Sequence, residues 1–219
     1  MFRNRIDAGR RLAAALADYK AKQPLVFGLA RGGVPVAAEV AKALDAPLRA
    51  VLVRKIGAPG QPELAVGAVA DGDPPATVWN DDLVAAFDLD AGARASLVRD
   101  QMRVIEERRA RFGMGASPAP VQGRAVIVVD DGLATGATAK AALRAMRARG
   151  PSELILAVPV APPETLDGMQ GEADKVICLE TPAFFMGVGN FYENFRQTSD
   201  DEVAALLGNS AQPSAGEHG

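Results

Sequence analysis

The chain has 219 residues, 48% of them hydrophobic and 23% charged, which favours a single domain of α/β size with a sizeable core. Its net charge of −3 argues against a non-specific nucleic-acid binder, which would be basic. Any anion site must therefore be built locally, from backbone amides and a few arginines.

The first helical pattern starts with Asp7 as its cap and spans 7–20. Leu12, Ala15, Leu16 and Tyr19 share one face, and Pro24 stops it. An apolar run at 25–30 reads as a core strand and leads into Ala30-Arg31-Gly32-Gly33, with a helix at 36–44. The next strand, 48–53, carries Arg54 and Lys55 at its end. Residues 56–65, rich in Gly and Pro, read as a loop. Runs at 66–70 and 76–79 form a hairpin around Asp71-Gly72-Asp73-Pro74-Pro75. Helices at 80–87 and from Asp90 to about Phe112 follow. The second has Val98, Met102, Ile105 and Phe112 on one face. Glu106, Glu107, Arg108, Arg109 and Arg111 read as a solvated face. Residues 113–120 are a loop.

The run Ala125–Val129 has the β-branched, uninterrupted character of a buried parallel strand. It ends in Asp130-Asp131. A small-residue loop containing Thr135 and Thr138 follows, then a helix at 139–149 ended by Gly150-Pro151. Further strands at 153–160 and 173–179 flank a short helix at 164–169. The β-loop-α repeat implies a parallel sheet covered on both faces, with sites past the carboxyl ends of its strands. Phe184, Phe185, Phe191 and Tyr192 suit core packing, a dimer contact, or a hood stacked on a flat ligand. A last helix spans 200–207, and 208–219 has the composition of a disordered tail after a domain of 1–207.

Residue types narrow the chemistry. The single histidine, His218, lies in the tail, which argues against Ser-His-Asp hydrolases and histidine-ligated metalloenzymes. The single cysteine, Cys178, excludes an internal disulfide and reads as a buried thiol. Neither a nucleophile elbow nor a Walker loop occurs. No signal peptide is visible, and no apolar run approaches the ~20 residues that span a bilayer, so a reducing cytoplasm is expected.

Two strand–loop–helix units remain. At a helix start several amide N–H groups lack intrahelical partners and the dipole favours an anion. Gly136 and Ala137 admit a close phosphate, and Thr135 and Thr138 offer hydroxyls. Asp130 and Asp131 repel phosphate and suit sugar hydroxyls or a magnesium-bearing group beside it. A phosphorylated sugar satisfies both halves, although a plain cap and turn would use the same residues.

The stretch 126–138 resembles the phosphoribosyl diphosphate (PRPP) motif of type I phosphoribosyltransferases: apolar strand, two acids, small residues, then Ala-Thr-Gly-Ala-Thr. It departs at Gly132, where that family carries an aliphatic residue. The whole chain resembles a branch of that family whose acceptor is undefined. The resemblance implies a parallel sheet of about five strands flanked by helices, a mobile loop at 56–65 and a small hood. It implies a Mg2+-dependent transfer from PRPP to an acceptor such as a nucleobase-like nitrogen heterocycle. Ala134, Thr135, Gly136, Ala137 and Thr138 would hold the 5-phosphate, and Asp130 and Asp131 the ribose. Ala30, Arg31, Gly32, Gly33, Arg54 and Lys55 would hold pyrophosphate, with a strained or cis peptide common in that loop. Magnesium would be held mainly by substrate and water, near Asp130 and Asp131. Glu63 receives no role. A PRPP- or nucleotide-sensing regulatory module and a hydrolase or salvage enzyme with altered leaving-group chemistry are the rival readings. A homodimer is compatible with either, and no membrane partner is expected.

Overall fold

Seven strands pair into one sheet in a computed structural model that describes residues 1–72, 74–114 and 120–209. They are β1 (Leu25–Ala30), β2 (Leu48–Ala58), β3 (Gln61–Ala70), β4 (Ala76–Trp79), β5 (Ala125–Val129), β6 (Glu153–Val160) and β7 (Lys175–Glu180), in spatial order β4-β3-β2-β1-β5-β6-β7. The five strands from β2 to β7 across β1 are parallel; β3 and β4 extend the edge antiparallel. The sheet thus has seven strands rather than the five expected. The two extra come from the Gly/Pro stretch at 56–65 and the hairpin after it.

That stretch was expected to be a loop, and it is instead the tip of the β2–β3 hairpin. Ile56 pairs with Gly67, Gly57 with Ala65 and Ala58 with Gln61, with register shifts on either side of Gly57. Its glycines and prolines serve bulges and a tight turn at Gly60, a use of the same residues that composition does not separate from a loop.

The helices are α1 (Arg5–Ala15), α2 (Gly33–Leu44), α3 (Asp81–Ala86), α4 (Ala91–Arg111), α5 (Ala137–Arg147), α6 (Pro163–Asp167) and α7 (Asp200–Asn209). Side chains alternate along the central strands, so each strand feeds two cores. Val26, Ile127 and Val129 pack beneath α1, α2, α4 and α7. Phe27, Leu29, Val126 and Val128 pack beneath α5. Among the described residues no helix is long and apolar enough to cross a membrane. Cys178 is half-buried.

Two expectations at helix ends change. The cap of α1 is Asn4, whose side chain accepts from the Asp7 amide at 3.0 Å, while Asp7 accepts from the Arg3 amide at 3.1 Å. The exchange satisfies two amides reciprocally, as a capping box does. Gly208 and Asn209, expected in the tail, continue α7; 210–219, His218 among them, lie outside the described residues. Asp73 and 115–119 of the two expected turns do as well.

The charged face of α4 is also not simply solvated. Glu106 and Glu107 are exposed, but Arg108 and Arg109 are half-buried against the sheet. Arg109 donates to Asp71 at 2.9 Å, and the Leu52 amide donates to the same carboxylate at 3.0 Å. Asp71, 9% exposed, therefore ties α4 to β2 instead of decorating a turn. Burial raises its carboxyl pKa, and the contacts from Leu52 and Arg109 oppose that.

Asp71→Ala strands a buried amide and removes a carboxylate partner from the half-buried Arg109. It should lower unfolding stability by about 2–4 kcal/mol, read by denaturant titration. Asp71→Asn keeps an acceptor for Leu52 and should lose less. Equal midpoints for wild type and Asp71→Ala would contradict this role.

Candidate functional site

Because β1 and β5 are parallel neighbours, with Gly28 opposite Val129, their C-terminal loops emerge side by side. The contact between them is very close. A Cβ added to Gly33 would lie 2.5 Å from the Val129 carbonyl oxygen, and one added to Gly32 would lie 2.1 Å from Asp131 Oδ2. No side chain fits at either position, so the start of α2 lies directly against the acidic pair. The Ala30–Arg31 peptide is cis.

The second loop is anchored from below. Leu133 is buried and its amide donates to the Val160 carbonyl at 2.9 Å. Thr165 Oγ1 donates to the Ala134 carbonyl at 2.5 Å. Gly136, with φ 75°, is the N-cap of α5. Ala134 and Thr135 are exposed, and Ala137 and Thr138 half-buried. The departure at Gly132 has a packing reason: a Cβ there would lie 2.6 Å from Val188 Cγ1 and 3.0 Å from Val160 Cγ1. Val188, from the segment after β7, fills the space an aliphatic residue would take.

The helix starts divide into two kinds. Asn4 caps α1, Asp90 caps α4 and Ser199 caps α7 through its hydroxyl. Among the described residues, α2 and α5 are the long helices with no side-chain cap and no acid in the first turn. Their starts, without a side-chain cap, sit in the two neighbouring loops.

Asp130 and Asp131 are half-buried, and the Asp131 amide donates to Asp130 Oδ1 at 2.9 Å. Asp131 Oδ2 accepts from Arg5 Nε at 2.8 Å and faces a second Arg5 nitrogen at 2.7 Å. Arg5 is held in turn by the Arg196 carbonyl, at 2.7 Å, and by the Phe195 ring, 3.9 Å beneath its guanidinium. Tyr192 donates its hydroxyl to the Asp131 carbonyl at 2.6 Å. Burial raises the Asp130 pKa well above the ordinary carboxylate value, and the neighbouring charge of Asp131 adds to it. Burial raises Asp131 too, against the pull of Arg5.

Sequence reasoning missed Arg5. It stands 126 positions from its partner, and its place in an amphipathic helix gives no hint of a site. A bridge between Phe2 and Tyr192 brings it there.

The expected cations are only partly assembled. Arg31 Nη1 lies 3.3 Å from Asp200 Oδ1, and Arg54 Nε donates to Gln101 at 3.3 Å. Lys55, next along β2 and therefore on its opposite face, is exposed and makes no ion pair among the described residues. Of the aromatics, Phe185 stacks on Phe191 at 5.5 Å and Tyr192 is buried, whereas Phe184 is 91% exposed. Among the described residues no cluster of three or more His, Cys, Asp or Glu could cage a metal.

The sequence pattern of the phosphoribosyl transferase domain matches residues 2–193. A Mycobacterium tuberculosis protein named "Putative phosphoribosyl transferase Rv0571c" is 51% identical over 207 residues. The match covers 94% of this chain and 46% of that protein, so the chain spans about half the length of the curated relatives it matches. The crystal structure of TT1426 from Thermus thermophilus superposes with a TM-score of 0.82 at 40% identity, covering 96% of this chain and 99% of that one. A Neisseria gonorrhoeae protein solved with bound ppGpp shares the fold, with a TM-score of 0.51 at 16% identity over 95% of this chain and 96% of that one.

Arg5→Ala should move the titration of the Asp130–Asp131 pair to higher pH, because the cation opposing the burial effect is gone. With raised folded-state pKa values, the pair's contribution to stability is full below the unfolded carboxylate range. It is lost as pH rises through the folded values, and in Arg5→Ala that loss should run to higher pH. Carboxyl-carbon NMR reads the titration; curves that overlay would refute control by Arg5.

Proposed function

Because the chain belongs to the phosphoribosyl transferase family, we propose that it displaces pyrophosphate from PRPP in favour of an acceptor, a nucleobase-like nitrogen heterocycle. The observation that carries this reading is the pair of uncapped helix starts, α2 and α5, in abutting loops beside two carboxylates. Two anion seats flanking a hydroxyl-binding pair match a sugar with phosphate at one end and diphosphate at the other.

In this reading the amides of Ala134, Thr135, Gly136, Ala137 and Thr138, with the two threonine hydroxyls, hold the 5-phosphate. Asp130 and Asp131 accept from the ribose hydroxyls, and their charge favours the positive character that develops at the anomeric carbon as the diphosphate leaves. The amides of Ala30 to Gly33, with Arg31 and Arg54, take the leaving group's charge, while Lys55, on the opposite face of β2, does not join them. Positioning and electrostatics supply the catalysis. The two carboxylates, hard oxygen donors without a cage around them, fit a Mg2+ held mainly by substrate and water. When bound, such an ion would neutralise diphosphate charge.

One observation favours the rival, a PRPP- or nucleotide-sensing module without turnover: Asp131 already spends one oxygen on Arg5. PRPP binding followed by pyrophosphate release across a panel of heterocycles separates the two. Release with at least one acceptor is expected; tight binding without release for any acceptor would favour the sensor.

The double substitution Asp130→Asn with Asp131→Asn should weaken PRPP binding about 100-fold or more, the scale of losing two charge-assisted contacts. Calorimetry with Mg2+ present measures it. Unchanged affinity would remove the ribose assignment.

A further inference from the structure

Four arginines from three elements gather past the end of β1, beside the stretch of β2 that continues beyond their pairing. Arg31 follows β1, Arg54 lies on β2, and Arg108 and Arg111 sit one turn apart on α4. One carboxylate pairs with them among the described residues. Asp200, in the first turn of α7, accepts from Arg111 Nη1 at 2.7 Å through Oδ2 and from Arg31 Nη1 at 3.3 Å through Oδ1. Its side chain is 16% exposed. Arg108 is held below the ordinary guanidinium range, first by burial and then by repulsion from Arg54, while Asp200 acts in the opposite sense. Asp200 lines a cavity of about 330 Å³ with Arg31, Arg111, Thr198 and Ser199. Asp201 lines it as well and makes no ion pair among the described residues.

A single carboxylate cannot satisfy this cluster. It bridges two guanidiniums and leaves mutual repulsion among the rest. An anion with more charge and more oxygens would engage several arginine forks at once. The carboxylate sits on a separate helix whose start is self-sufficient: Ser199 Oγ accepts from the Glu202 amide at 3.1 Å, and the Ser199 amide donates to Glu202 at 2.9 Å. The bond from α7 to the cluster can therefore break without uncapping the helix.

We propose that Asp200 is an internal competitor for the diphosphate subsite, and that Arg108 and Arg111 of α4 extend that subsite beyond the glycine loop. The proposal rests on the PRPP reading above. A diphosphate takes Arg31 and Arg111 from Asp200, so α7 holds back binding until the ligand outbids its carboxylate. Lys55, exposed on the opposite face of β2, is not part of the cluster.

The test is calorimetry of inorganic pyrophosphate with Mg2+ against the full chain. Asp200→Asn should bind pyrophosphate about threefold or more tightly, the scale of a part-buried ion pair. Asp200→Glu, which keeps the charge, should stay near wild type and controls for damage to α7. Arg111→Ala and Arg108→Ala should each weaken binding. Unchanged or weaker binding in Asp200→Asn, or unchanged binding in both arginine variants, would overturn the proposal. PRPP affinity and its loss in the Asp130/Asp131 double variant are measured alongside. If these hold while Asp200→Asn has no effect, the competition fails and the family reading stands. If pyrophosphate responds to Asp200 but PRPP affinity ignores the acid pair, the ribose assignment fails instead.

Discussion

The site depends on one steric fact: the start of α2 lies against the end of β5 with no room for a side chain between them. Gly32 and Gly33 make that approach, and Asp130 and Asp131 are what they approach. Parallel pairing of β1 with β5 sets the strands side by side, but it does not bring their loops into contact. The missing Cβ atoms do. The consequence is electrostatic as well as steric. The start of α2, the positive end of its dipole, lies against two carboxylates whose pKa values burial raises.

The chain is acidic overall yet concentrates cations past the end of β1. It does so by drawing arginines from a helix that reads, on its own, as surface. Residues 108 and 111 are three apart, hence neighbours on one side of α4, from which Arg111 reaches Asp200. Arg109 points to the sheet and is consumed by Asp71. A helix face rich in charge is thus divided by one residue's rotation, about 100°, between a structural tie and a cation cluster. Net charge says nothing of this division, because it depends on where the helix packs.

Local pattern made much of the fold legible. The runs at 25–30, 125–129 and 153–160 coincide with β1, β5 and β6, because buried parallel strands are uninterrupted apolar stretches and few other elements are; the run at 76–79 coincides with β4, an antiparallel edge strand announced by the turn before it. Asn80 and Asp90 stand where helices begin. What failed was composition without partners. Gly57, Pro59, Gly60 and Pro62 look like loop and form bulges and a turn, because pairing with β3 is a tertiary choice. Asp71 looks like turn and is a buried tie. Within the site, the two glycine loops were visible because each is a contiguous motif. Arg5, Val188 and Asp200 were not, because each reaches the site from a distant segment.

That asymmetry has a physical origin. The two loops beside the acid pair need only backbone amides and small residues in a fixed local order, so a short stretch of sequence encodes each. The opposite side is assembled from ends of the chain. Phe2 bridges to Tyr192, Tyr192 bonds the Asp131 carbonyl, Phe195 underlies Arg5, and Val188 fills the hollow over Gly132. Each of these contacts spans tens of residues or more, and none requires a particular neighbour in sequence. A change there alters the shape beside Asp131 while leaving both glycine loops intact. That shape is set by how the N-terminal segment and the stretch after β7 pack together, with Phe184 left outward at their edge.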